Sequence, residues 1–188
     1  MAADEHLSDE ELETRWKQGS SPAFSLLFER YYGRVYGFAF RLTQDRHAAE
    51  DLAQRAFLNL YKKPPPAERT ASFKSLVFTV VRNESLNHLK WRARRREAAI
   101  EGAAGTPTDA QPPEQTVDDK DQGERLSEAL AQLPDEEREI VTLRVIEGLT
   151  FREVCDVTGL SRDAVRWRLA RGLEALRAGL LPQAGGEA

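Results

Sequence analysis

Apolar positions in this chain recur at steps of three and four, the period of a helix that buries one face. Phe24, Leu27, Phe28, Tyr31, Val35, Phe38 and Leu42 form one such stripe, with Ser21 as its expected cap and Pro22 in the first turn. Asp45 opens a second helix whose buried side is Leu52, Ala53, Ala56, Phe57 and Leu60, and Pro64, Pro65 and Pro66 end it. Ser72 caps a third, apolar at Phe73, Leu76, Val77, Val80 and Val81 and polar beyond. Further on, Leu126, Ala129, Leu130 and Leu133 predict a short helix stopped by Pro134, and Asp135 is the expected cap of the next. That next helix carries Ile140, Val141, Val145 and Ile146 and ends at Gly148. Thr150 and Glu153 have capping-box spacing, Gly159 stops the helix they begin, and Ser161 opens a last one with Val165, Leu169, Leu173 and Leu176 inward. No strand pattern competes, so the fold class is all-α.

Between these groups the chain changes character. From Arg96 to Asp121 it is rich in Ala, Gly, Pro and acids, without an aromatic residue or an apolar period. This predicts two small helical domains joined by a flexible acidic linker. The expected boundaries are an acidic N-terminal extension over 1–19, a helical bundle over 20–96, the linker over 97–124, a helix-turn-helix unit over 125–179 and a tail over 180–188.

The 188 residues carry a formal charge of -4, which argues at first against a nucleic-acid partner. The charge is segregated, however. Residues 1–13 hold six acids and no Lys or Arg, and residues 97–124 hold eight acids against Lys120. Residues 82–96 hold six bases against Glu84, and residues 161–177 hold five arginines against Asp163 and Glu174. Two basic segments predict two polyanion-facing surfaces. The single cysteine, Cys155, rules out an intrachain disulfide and zinc-ligand spacing, and it reads as a small packed hydrophobe. No apolar run suits a bilayer, and the acidic start is unlike a signal peptide, so a cytoplasmic protein without membrane insertion is expected. His6, His47 and His88 stand in unrelated contexts and are expected at the surface. With no Ser/His/Asp grouping, Gly-rich phosphate loop or metal cluster, neither enzyme activity, cofactor nor metal is expected.

Within the last unit, Cys155, Gly159 and Val165 occupy the crossing, turn and inner face that a helix-turn-helix needs. At 100° per residue, Asp163, Arg166, Trp167, Ala170 and Arg171 fall on the opposite face, suited to a major groove. In the third helix, Asn83, Asn87, Lys90 and Arg94 make a narrow stripe at helical spacing, two amides followed by a cationic track.

The stretch ALAQLPDEEREIVTLRVIEGLTFREVCDVTGLSRDAVRWRLARGLEALR, Ala129 to Arg177, resembles region 4 of the extracytoplasmic-function sigma factors of the sigma-70 family. AFSLLFERYYGRVYGFAFRLTQDRHAAEDLAQRAFLNLYKK, with FKSLVFTVVRNESLNHLKWRARRR, resembles region 2. The resemblance implies a non-catalytic subunit that joins core RNA polymerase to promoter DNA. It implies that Asp51 and Gln54 contact the polymerase, and that the loop over 62–72 with Asn83, Asn87, Lys90, Arg92, Arg94 and Arg95 meets the melted -10 strand. It implies that Arg166, Trp167, Ala170 and Arg171 read the -35 duplex, with Arg162 and Arg168 on phosphate, and that an anti-sigma factor is the regulator. Leu76 stands where the family usually has Trp, Asn87 where it often has Asp, and Trp167 where it often has Ser. Two other readings fit parts of the pattern. A sigma-like decoy would bind an anti-sigma factor without DNA, and a stand-alone helix-turn-helix regulator would bind duplex only.

Overall fold

The structure, a computed structural model, describes residues 6–66, 71–101 and 120–180. Among these are eight α-helices: α1 Asp9–Lys17, α2 Ser21–Thr43, α3 Arg46–Lys62, α4 Phe73–Glu101, α5 Lys120–Ala131, α6 Asp135–Val141, α7 Phe151–Thr158 and α8 Arg162–Leu180. One π turn, Thr142–Ile146, continues α6. The described residues contain no strand.

Three expected caps are present. Asp45 Oδ1 accepts from the Ala48 amide at 3.0 Å, Ser72 Oγ from Ser75 at 3.2 Å and Ser161 Oγ from Ala164 at 3.2 Å. The capping box of α7 closes in both directions, Glu153 N to Thr150 Oγ1 at 3.2 Å and Thr150 N to Glu153 Oε2 at 2.8 Å. Two expectations are corrected. Ser20 rather than Ser21 caps α2, because the chain is still extended at Ser20 and Ser21 already lies in the helix. Asp135 is likewise inside α6; Pro134 holds the cap position without a side-chain bond, and Asp135 instead pairs with Arg138 at 3.1 Å.

The stretch expected as an acidic extension contains α1, begun by a Ser8–Glu11 capping box. Nine residues make a marginal helix alone. Here Leu12 and Trp16 are buried, each contributing about 1.5–3 kcal/mol, and Trp16 lies 5.3 Å from Phe24 and 5.5 Å from Phe73 between ring centres. The acids of α1 have partners as well. Glu13 Oε2 accepts from the Phe73 amide at 2.8 Å, and Asp9 takes the Tyr31 hydroxyl and, at 2.8 Å, Arg30 Nη1. Burial raises the Asp9 carboxyl, but the hydrogen bonds from Tyr31 and Arg30 outweigh it and hold it below its ordinary value.

Helices α1 to α4 form a bundle around Leu27, Tyr31, Val35, Phe38, Leu52, Phe57 and Phe73. The same buried cluster continues without a gap into Ile140, Leu143, Leu149, Val154, Val157 and Val165 of the second half. A smaller one joins Leu130, Leu133, Val141 and Leu176. The stripes are buried in the main, with corrections where the packing turns away. Phe28, Leu126 and Val145 are exposed, because Phe28 rims a groove and the π turn rotates Val145 outward. Cys155 is half-buried against the main core. His88 is half-buried as well, not on open surface; burial and then Arg92 lower its pKa. Most of the expected linker, together with residues 67–70 of the proline loop, lies outside the described residues. Its ends are helical, residues 97–101 in α4 and 120–124 in α5.

Gly172 sits where α8 crosses α6. A Cβ there would lie 2.6 Å from Val141 Cγ2, a contact that forces movement in a packed core. Gly172→Ala is expected to lower stability: overpacking costs about 1–3 kcal/mol, against about 1 kcal/mol gained in helix propensity. Gly33→Ala, in open space on α2, is expected to raise it by up to about 1 kcal/mol. Urea midpoints of the two variants should move in opposite directions. A second expectation concerns pH. Asp9 has a depressed pKa when folded, so its contribution is present above the unfolded value of about 3.9 and disappears as pH falls through the folded one. Asp9→Asn should therefore be less stable than the parent at pH 6, and the two should converge below about pH 4 in the same titration.

Candidate nucleic-acid and polymerase interfaces

Helix α4 is buried over its first half, through Phe73, Leu76, Val77, Phe78 and Val81, and then projects its basic second half beyond the bundle. The rigid helix therefore carries a solvent-facing track. Asn83, Asn87, Lys90 and Arg94 are all exposed along it, so the structure brings these four together. Arg92 lies to one side and reaches Asp45 Oδ2 at 3.5 Å. Arg95 places its guanidinium 5.0 Å over the exposed ring of Trp91. Leu76, where an aromatic residue was expected from the resemblance, is core. Arg82, from the same basic segment, turns away from the track and pairs with Glu139 of α6.

The second face lies on α8. Val165 is fully buried and Leu176 nearly so, which points Arg162, Arg166, Trp167, Ala170 and Arg171 outward together. Gly159, at φ 72°, makes the left-handed turn between α7 and α8 that a residue with a Cβ adopts only with strain. Arg166 lies 5.8 Å over the Phe151 ring, and Arg171 lies 4.6 Å over Trp167 while its Nε is 3.7 Å from Glu137. These stacks hold two long cations outward with little loss of reach. Arg168 does not join that face. Its side chain is 19% exposed and bound to Glu136 at 2.7 Å.

On α3, Asp51 and Gln54 are exposed one turn apart. Arg55 approaches Asp51 at 3.6 Å, and Gln54 Nε2 donates to Glu50 Oε1 at 3.4 Å. Sequence reasoning missed their surroundings. Gln54 lies on the rim of a groove of about 280 Å³ between α2 and α3, lined by Phe24, Phe28, Phe57, Leu58 and Tyr61. Leu58 and Tyr61 are about half exposed. Their positions off the buried stripe of α3 were the available signal.

Residues 27–96 match sigma-70 region 2, and residues 123–176 match sigma-70 region 4. The chain is 34% identical to the RNA polymerase sigma factor CarQ of Myxococcus xanthus, over 87% of this chain and 92% of CarQ. It is 33% identical to the extracytoplasmic-function sigma factor SigE of Mycolicibacterium smegmatis, over 85% of this chain and 62% of that longer protein. Among solved structures, the fold is similar to the sigma factor RpoE of Bartonella quintana, crystallised with the anti-sigma factor NepR, at a TM-score of 0.65 and 24% identity over 84% and 96% of the two chains. Together these define an RNA polymerase sigma factor of two helical regions. The chain belongs to the sigma-70 family, in its extracytoplasmic-function group. It is an alternative sigma factor, directing transcription initiation. No helix among the described residues is long and apolar enough to cross a membrane.

Proposed function

We propose that this sigma factor works as a two-point reader, binding core polymerase through α3 while α4 holds melted -10 DNA and α8 reads -35 duplex. The observation that carries this is the presence in one chain of two outward faces of different chemistry. The α4 track offers Asn83 and Asn87, whose amides can both donate and accept, with Lys90, Arg92, Arg94 and Arg95 for the backbone of a single strand. The α8 face offers Arg166 and Arg171 to base edges or phosphate, Trp167 as an apolar surface for a thymine methyl or sugar, and Ala170 as a place of close approach. Arg162 serves phosphate directly, and Arg168 does so once it leaves Glu136.

Asp51 and Gln54 dock on basic groups of the core enzyme, and the adjoining apolar groove adds contact area. Residues 20–96 and 125–179 act as the two functional units, and the acidic linker between them follows a nucleic-acid path on the polymerase. The protein works in the cytoplasm, takes no cofactor, and leaves bond formation to the core enzyme. An anti-sigma factor that grips both units is its expected regulator.

Run-off transcription from a random promoter library, with and without this chain, tests the reading. Products that appear only with the chain should share two spaced upstream motifs. Products identical with and without it would leave the decoy or the duplex-only regulator in its place. Asp51→Ala combined with Gln54→Ala should weaken binding to core polymerase in fluorescence anisotropy while leaving -35 duplex binding unchanged. Arg166→Ala should cost about 1–3 kcal/mol on the preferred -35 sequence, roughly 5- to 150-fold in Kd, and relax base preference at one position.

A further inference from the structure

The basic half of α4 carries one aromatic ring that neither the bundle nor the two-point reading uses. Trp91 is 54% exposed, while Phe73 and Phe78, in the first half of the same helix, are buried. A tryptophan in water forgoes most of what its burial would contribute, yet its own helix restrains this one. Arg95, one turn on, sets its guanidinium 5.0 Å over the ring. His88, one turn back, lies 6.3 Å away between ring centres at a tilt of 37°. The ring is held on its own helix with about half its surface free.

The surroundings are cationic. Within residues 90–96, Lys90, Arg92, Arg94, Arg95 and Arg96 are basic and none is acidic. Glu84, two turns back on the same side of α4, is held by Asn59 of α3 at 3.1 Å. At about 100° per residue, Trp91 stands about 40° round the helix from Asn87 and about 60° from Arg94, so the ring borders the amide and cation track. Along the axis it lies about 12 Å beyond Asn83. Nucleotides stacked about 3.4 Å apart cover that distance in about three to four steps.

Helix α8 repeats the device. Trp167 is equally exposed, and Arg171, again one turn on, lies 4.6 Å over its ring. Trp16, the third tryptophan of the chain, is core. Both exposed tryptophans therefore stand on the two helices whose outward faces are basic, each backed by an arginine at the same spacing. A flat ring amid such charge suits nucleic acid, because bases stack on aromatic faces while cations take the phosphates. An apolar protein surface has its counterpart elsewhere, in the groove where Leu58 and Tyr61 are exposed.

We propose that Trp91 is a base-stacking residue for single-stranded nucleic acid, its ring backed by Arg95 and taking one unstacked base about three to four nucleotides from the base at Asn83. The proposal rests on α4 as the surface for the melted strand and adds a contact that reads no sequence. Every base has a π face, so the stack tolerates any of them; it keeps the strand in place while the amides discriminate.

Fluorescence anisotropy tests this, with the full chain assembled on core polymerase, core polymerase alone as the blank, and two labelled probes, an oligothymidylate and an abasic strand of the same length and charge. Trp91→Ala should weaken binding of the oligothymidylate about 5- to 150-fold and leave the abasic strand unchanged. Trp91→Leu, which keeps bulk and helix propensity without a flat ring, should lose as much, and Trp91→Phe should retain most of the affinity. The salt dependence of binding should be the same in all three, because the ring neutralises no phosphate, whereas Lys90→Ala with Arg94→Ala should make it shallower. Helix content in circular dichroism should match the parent throughout.

Parental affinity in Trp91→Ala, or an equal loss on both probes, would overturn the stack; the α4 reading would stand if the Lys90 and Arg94 variant still lost affinity. A loss confined to core-polymerase binding would assign Trp91 to a protein interface and overturn the stack as well. Should Trp91→Ala lose affinity while the Lys90 and Arg94 variant does not, the stack stands and the cationic track falls. An assembled enzyme that binds the oligothymidylate no better than core polymerase alone overturns both.

Discussion

The structure depends on how the N-terminus of α4 is satisfied. The Phe73 amide donates to Glu13 of α1, the Ser75 amide to Ser72, and the Ser72 hydroxyl donates in turn to Glu153, itself half of the capping box of α7. One hydroxyl can donate once and accept twice, so a single serine ties two helix starts together. Orphan amides at a helix start need partners when buried. Here α1, α4 and α7 supply them jointly, and the orientation of the 29-residue α4 relative to both halves follows.

From that anchor the outward faces of α4 and α8 acquire their positions. The buried first half of α4 fixes the helix in the bundle, and the unburied second half presents its amides and cations at a defined rotation. On the other side α6 and α8 approach closely at Gly172, and this packing turns the arginine face of α8 away from the core. Both outward faces are thus carried on helices anchored in a shared core rather than on loops.

Electrostatics decides what the shared core permits. The apolar cluster would hold the halves together indiscriminately, whereas the ion pairs around Glu147 and Glu139 select one docking geometry. Burial raises the pKa of Glu147 despite Arg34, Arg41 and Lys74 beside it. A carboxylate in that position is costly without its partners, and Arg34 and Arg41 supply them. Several of the acids that lower the net charge of the chain therefore have a structural place, and the overall value of -4 understates how basic the outward faces of α4 and α8 are.

The sequence by itself determined the helical class, most helix limits and both outward faces, because apolar period, capping side chains and positive-φ glycines act within a turn or two of the backbone. It also carried the family, through motifs that span both halves. It did not reveal α1 as core, the exposure of Phe28 and Val145, the engagement of Arg168 and Arg82, or the groove beside Gln54. Each of those depends on partners far away in the chain: Glu13 on Phe73, Arg82 on Glu139, Gln54 on Phe28. An acid with no local partner reads as solvated surface. Only the tertiary structure brings such residues against their partners, because hydrogen bonds and ion pairs are specified by distance in space, and the one-dimensional pattern encodes only the distance along the helix.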